Sequence, residues 1–159
     1  MNYQKWLAAV PDEIAQDPLW KLEVYRLGLF AAEIGWEDVV LLNKNGLTRD
    51  AADQIIRSLN SISANIAEGY SRSTGKDRAR YFEYALGEAR EARDRYFKVR
   101  RVLKEEVVLH RIRLLTQIVK MLNALVPAQR SHGIREEKSV YDTSLEFENE
   151  ILQTPIPKP

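Results

Sequence analysis

The chain has 159 residues, a formal net charge of +1, 30% charged side chains and no cysteine. That length suits one domain with a sizeable core, and the missing cysteines exclude disulfides, thiolate metal sites and cysteine nucleophiles. No apolar run approaches the roughly 20 residues that cross a bilayer, and the first residues lack the pattern of a signal peptide, so a cytoplasmic protein without a membrane segment is expected.

Residues 1–17 read as a short amphipathic arm, with Trp6, Leu7, Val10 and Ile14 on one stripe interrupted by Pro11. It is expected across the outside of the domain, or as a docking arm for a partner. A first long helix is expected from Asp17 as N-cap and Pro18 at the first helical position. Trp20, Val24, Leu27, Ala31 and Ile34 recur at spacings of four and three, the mark of a core-facing seam. Trp36 to Leu42 continue the helix past Gly35, and Asn43 to Gly46 form a loop.

Thr48 is the candidate cap of the second helix, which carries Ala52, Ile55, Leu59, Ile62 and Ile66 in heptad register. Short polar residues, among them Ser58, Asn60, Ser61, Ser63 and Asn65, flank this stripe, which suggests close neighbours on more than one side. Gly69 is expected to stop the helix in a left-handed conformation. Asn65 and Glu68 lie three apart on one face and can bond a neighbouring helix end or the loop after Gly69. Asn65, Glu68 and Gly69 are therefore read as fold determinants.

In the third helix, Thr74 and Asp77 resemble a capping box. Phe82, Ala89, Tyr96 and Leu103 share one heptad position, and Ala85, Ala92 and Val99 share the other. The small residues, with Gly87 close by, permit near approach of another helix. Tyr84 and Phe97 fall outside the seam, either as single exposed aromatics or as a second face for oligomer contact. The fourth helix starts near Glu105 and Glu106, turns Val108, Ile112, Leu115, Val119, Leu122 and Leu125 inward, and is expected to end at Pro127.

The expected fold is all-α: an antiparallel up-and-down four-helix bundle over residues 18–127, with the N-terminal arm before it and a C-terminal tail over 128–159. The tail contains Val140, Tyr141, Leu145, Phe147, Ile151 and Leu152, too apolar for a pure spacer. It is expected to be mobile in the isolated protomer, or to dock on a neighbouring subunit or a partner.

Reaction centres are not legible. The histidines are His110 and His132; Glu106 and His110 are four apart, whereas di-metal bundles use a three-residue spacing. His110 reads as a helix-surface residue. No Gly-x-Ser-x-Gly elbow is present, and Ser73-Thr74-Gly75-Lys76 lacks the first glycine and strand of a P-loop. The expectation is therefore no enzymatic activity, no catalytic residues, no metal and no cofactor.

Charge distribution is the positive signal. From Arg72 to Arg113 there are 13 Lys or Arg against 7 Asp or Glu. Arg90, Arg93, Lys98, Arg100, Arg101 and Lys104 cluster on the second half of the third helix. Arg72, Lys76, Arg78 and Arg80 precede them, and Arg111 and Arg113 follow. Such a surface attracts phosphate backbones without sequence preference. Its bland alternative is a solvated or subunit-pairing face, since Glu88, Glu91 and Asp94 are interleaved.

Several stretches resemble a known family. Leu22-Glu23-Val24-Tyr25, Ser61-Ile62-Ser63-Ala64-Asn65-Ile66-Ala67-Glu68-Gly69-Tyr70, Arg80-Tyr81-Phe82, Ala85-Leu86-Gly87-Glu88 and Lys120-Met121-Leu122-Asn123-Ala124-Leu125 are similar, in order and spacing, to the bacterial four-helix-bundle proteins encoded by intervening sequences of 23S ribosomal RNA genes. The family often has Pro where Ser63 stands, and Gly-Ser where this chain has Gly87-Glu88. The resemblance implies an up-and-down bundle, five-fold rings and no enzymatic activity. A related branch binds the reverse transcriptase and RNA template of diversity-generating retroelements. The expectation is thus a non-enzymatic homo-oligomer, with a pentamer favoured, that binds RNA or DNA backbones through the third helix. The alternatives are a protein-interaction scaffold and a reverse-transcriptase accessory protein.

Overall fold

The computed structural model describes residues 2–131 and 150–159. Its N-terminal arm forms α1 (Tyr3–Leu7) and α2 (Asp12–Ala15), followed by a 3-10 turn at Pro18–Lys21. Asn2 caps α1 by accepting the Lys5 N–H at 3.0 Å. The arm is an aromatic clasp: Tyr3 meets the Phe30 ring edge-on at 4.9 Å, while Trp6 lies 5.3 Å from Phe30 and 6.2 Å from Trp20. Each such pair contributes about 0.5–1.5 kcal/mol beyond its buried area. Burial pushes the Tyr3 phenol up to about 12. Ile14, expected on the same stripe, is exposed instead.

Four long helices follow: α3 (Glu23–Asn43), α4 (Arg49–Tyr70), α5 (Gly75–Lys98) and α6 (Glu105–Ser131). A short α7 (Glu150–Gln153) precedes the C-terminus, and among the described residues every regular element is helical. Consecutive long helices pack together, and α3 also touches α6. Gly28 lies against Ile62 and Gly35 against Leu59; Arg90 reaches Asn123 and Arg93 reaches Thr116. The core between them contains Leu27, Ile55, Leu59, Ile62, Ile66 and Phe82 from the expected seams, together with Leu114 and Ile118 of α6.

Several local expectations are corrected. Asp17 accepts the Leu19 N–H at 2.7 Å and so caps the 3-10 turn; α3 begins only after Leu22, which is extended. Thr48 stands at the start of α4, but its hydroxyl donates to the Leu42 carbonyl at 2.7 Å and so ties off α3. Thr74 does cap α5, accepting the Asp77 N–H at 3.1 Å.

Gly69 lies inside α4 and does not terminate it through a left-handed turn. It is glycine because of crowding: a Cβ there would come within 2.9 Å of the Tyr81 Cβ and the Phe82 ring. Gly87, expected at a close helix approach, faces open space. Pro127 does not end α6, which continues to Ser131. A proline this near the C-terminus forfeits one backbone bond at the exposed residue Asn123, with one helical turn left to disturb.

α6 is buried on more sides than its expected stripe, with Val107, Leu114, Ile118 and Met121 also covered. Its exposed residues, Arg113, Lys120 and Asn123 among them, fall on one stripe, and the rest of its circumference is covered. Beside it, the last ten residues pack onto their own protomer: α7 touches α1 and α6, Leu152 is buried, and Ile156 packs on the core. His132, Val140, Tyr141, Leu145 and Phe147, and the side chain of Ile151, lie outside the described residues.

Candidate nucleic-acid interface

α5 sorts its residues by the helical period. Ala79, Phe82, Ala85, Leu86, Ala89, Ala92 and Tyr96 are buried, which turns the charged positions away from the core. Lys76, Arg80, Arg90, Lys98, Arg100, Arg101, Lys104 and Arg113 are exposed, while Arg72, Arg78 and Arg93 are half-buried.

Part of this charge is paired. Arg95 meets Glu91 at 2.7 Å and Lys98 meets Asp94 at 2.6 Å, each one helical turn apart. Arg72 pairs with Glu68, and Arg130 with Glu83. Exposed pairs of this kind contribute about 0–1 kcal/mol and exchange easily for other anions. Lys76, Arg90, Arg100, Arg101 and Arg113 have no ion pair among the described residues.

Aromatic planes stand beside the cations. Tyr84 and Phe97 are about half exposed, as expected for residues outside the seam. The Arg80 guanidinium lies 5.6 Å from the Tyr84 ring and donates to its hydroxyl at 2.7 Å. Arg100 stacks on Phe97 at 4.1 Å, and Arg72 on Tyr81 at 4.7 Å. Guanidinium groups placed beside aromatic rings offer a positive charge for phosphate next to a surface on which a base can stack.

Arg111 is not part of this surface, which corrects its expected phosphate role. It is 2% exposed, and Asp38 opposite it is 0% exposed. Its Nε and Nη2 donate to the two Asp38 carboxylate oxygens at 2.8 and 3.1 Å, and Tyr96 Oη donates to Asp38 at 2.8 Å. Burial raises the Asp38 pKa against the pull of Arg111 and Tyr96, and burial with the Asp38 charge raises Tyr96 well above the ordinary tyrosine range.

His110 is buried too, not on the helix surface as expected. Its Nδ1 lies 3.0 Å from Arg111 Nη1. A guanidinium has no acceptor, so Nδ1 must accept and the imidazole proton sits on Nε2, which has no partner among the described residues. Burial, then the charges of Arg111 and Arg113, lower its pKa to about 4.

A sequence signal for this buried cluster existed. Asp38 falls four after Ile34, the next seam position of α3, and Tyr96 stands on the seam of α5. Arg111 falls three after Val108 and four before Leu115. Polar groups at matching core positions of three helices mark a buried network.

The motif residues have local duties. Asn65 Nδ2 donates to the Ser61 carbonyl of its own helix at 2.8 Å, not to a neighbouring helix. Glu68 reaches Arg72 just past Gly69, one of its two expected targets. Among the described residues no group of three or more His, Cys, Asp or Glu is placed to hold a metal ion, and no helix is long and apolar enough to cross a membrane.

Together these features define a protein that is helical among the described residues, with exposed cations and aromatics along α5 and, at Arg100, Arg101 and Lys104, past its end at Lys98, and with a buried aspartate–arginine pair between α3 and α6. The model of the 23S rRNA-intervening sequence protein family matches residues 36–124, and the chain belongs to that family. No curated protein and no solved structure matches the chain.

Proposed function

We propose that this protein is a non-enzymatic, oligomeric binder of RNA or DNA backbones that uses the outer face of α5 and its flanks. The observation that carries this reading is the run of exposed cations without acidic partners among the described residues, interleaved with Tyr84 and Phe97. Phosphate contacts of this type release counterions, so binding falls steeply with salt and ignores sequence. Labelled RNAs of unrelated sequence, titrated between about 50 and 200 mM salt, test it. Parallel, steep losses of affinity support the reading; salt-independent binding, or none, overturns it.

The four long helices are read as an antiparallel up-and-down bundle. Partner numbers that fall along one helix as they rise along the next support this: Gly28 with Ile62 and then Gly35 with Leu59, Glu83 with Arg130 and then Arg90 with Asn123. The proposed assembly is a homopentamer in the cytoplasm, in keeping with the family resemblance. Light scattering should return five times the 18.4 kDa chain mass.

A second reading, a protein-interaction scaffold, draws on Trp36 at 64% and Leu47 at 95% exposure. It predicts complexes that survive nuclease treatment. The reverse-transcriptase accessory role joins both readings, and an adjacent reverse-transcriptase gene with a template repeat would favour it.

A further inference from the structure

The last residues of the chain are seated beside the line where α3 meets α6. Leu152 is buried, and beyond it Pro155-Ile156-Pro157-Lys158-Pro159 places proline at alternate positions. Proline fixes its own φ and restrains the residue before it to extended conformations, so little entropy is lost on docking. It also lacks an N–H, which leaves carbonyls as the main-chain groups such a segment chiefly offers a receptor.

The helices supply donors where those carbonyls fall. Arg111 Nη2 donates to the Pro157 carbonyl and Lys104 Nζ to the Lys158 carbonyl, both at 3.3 Å. Arg111 is preorganised for this, because Asp38 grips its guanidinium from the other side. A groove of about 520 Å³ continues across α3 from there, with Trp36, Glu33 and Glu37 in its lining and Ile156 and Lys158 among its walls. An aromatic ring and two carboxylates beside a lysine-bearing proline segment are complementary in shape and charge.

We propose that this site between α3 and α6 is a peptide-binding groove for extended, proline-rich, lysine-bearing segments, with the chain's own residues 152–159 as its resident ligand. The ligand is lightly held. Both carbonyl bonds are long, and Ile156 and Pro157 are half-buried. The site shares only Lys104 with the cations read as phosphate contacts; Arg111 is turned inward, and Glu33, Trp36 and Glu37 are outside that set.

The test uses the full chain carrying Leu152→Glu and Ile156→Glu, which removes both apolar anchors of the segment and leaves the helical walls of the groove, Glu33, Trp36, Glu37 and Arg111, unchanged. A fluorescent peptide, Leu-Gln-Thr-Pro-Ile-Pro-Lys-Pro, should bind this variant saturably. It should bind the unmodified chain at least about tenfold more weakly, because the tethered segment competes at high effective concentration. No saturable binding to the variant with its helical circular dichroism intact, or equal binding of a scrambled peptide, overturns the proposal. On the unmodified chain, excess peptide should move the amide resonances of Ile156 and Lys158 toward those of the free segment. Resonances that stay in place at saturating peptide likewise overturn it.

Discussion

Arg101 and Arg111 lie ten positions apart in sequence and at opposite extremes of environment. Arg101 is exposed on the turn after α5, with no ion pair among the described residues. Arg111 is locked between α3 and α5 by Asp38, beside Tyr96 and His110. The same guanidinium is available to a phosphate in one place and committed to the fold in the other. A local excess of basic residues therefore overstates a binding face wherever one of them falls on a core seam. Burial separates the two roles, and each can be perturbed without the other.

The largest expected effect is at the buried pair. Arg111→Met leaves Asp38 without its cation and should cost about 3–5 kcal/mol in urea unfolding. Adding Asp38→Leu should recover most of that loss, because a buried pair replaced by apolar groups is often nearly neutral. A single-variant cost under about 1 kcal/mol would remove Arg111 from the fold and return it to the surface set.

Next comes acid. His110 binds its proton near 6.5 when unfolded but near 4 when folded. The unfolded state therefore holds the extra proton between those values, so this contribution is complete above 6.5 and is lost as pH falls toward 4. At pH 5 the loss should be about 2 kcal/mol. His110→Gln, which keeps an acceptor for Arg111, should flatten that slope in melts recorded from pH 7 to 5. An unchanged slope would place the acid sensitivity elsewhere.

Glycines repeat the contrast between inside and outside. Gly69→Ala pushes a methyl onto Tyr81 and Phe82 and should cost about 1–3 kcal/mol. Gly87→Ala meets open space inside a helix and should gain up to about 1 kcal/mol. Equal effects from the two would contradict the packing described for α4 and α5. The smallest stability change belongs to the exposed cations: reversing Arg90, Arg100 or Arg101 to Glu should stay within about 0.5 kcal/mol each.

The helical periods made the long elements legible, because Ile55, Leu59, Ile62 and Ile66, or Phe82, Ala89 and Tyr96, can face one core only as helices. Ends were less legible. Pro127 breaks a helix in isolation, yet the last turn of α6 tolerates it, and the Asp17–Pro18 pair caps a 3-10 turn as readily as an α-helix. The exposed half of the candidate interface was readable as charge outside a seam. The buried cluster behind it was not, because Arg111 reads as one more surface cation and His110 as a helix-surface residue, whereas the seam positions of Asp38 and Arg111 carried the information. The docking of residues 150–159 on their own protomer depends on contacts far apart in sequence, which no local pattern encodes.

The most direct measurement compares RNA affinity and melting temperature for the unmodified chain and the Arg90→Glu, Arg100→Glu, Arg101→Glu variant across a salt series. Binding should drop at least about tenfold, and the slope of log affinity against log salt should shrink by about 2, as for three lost single-strand phosphate contacts. The melting temperature should stay within a few degrees. A folded variant that binds RNA as tightly as the unmodified chain, with the same salt slope, would contradict the assignment of the α5 face.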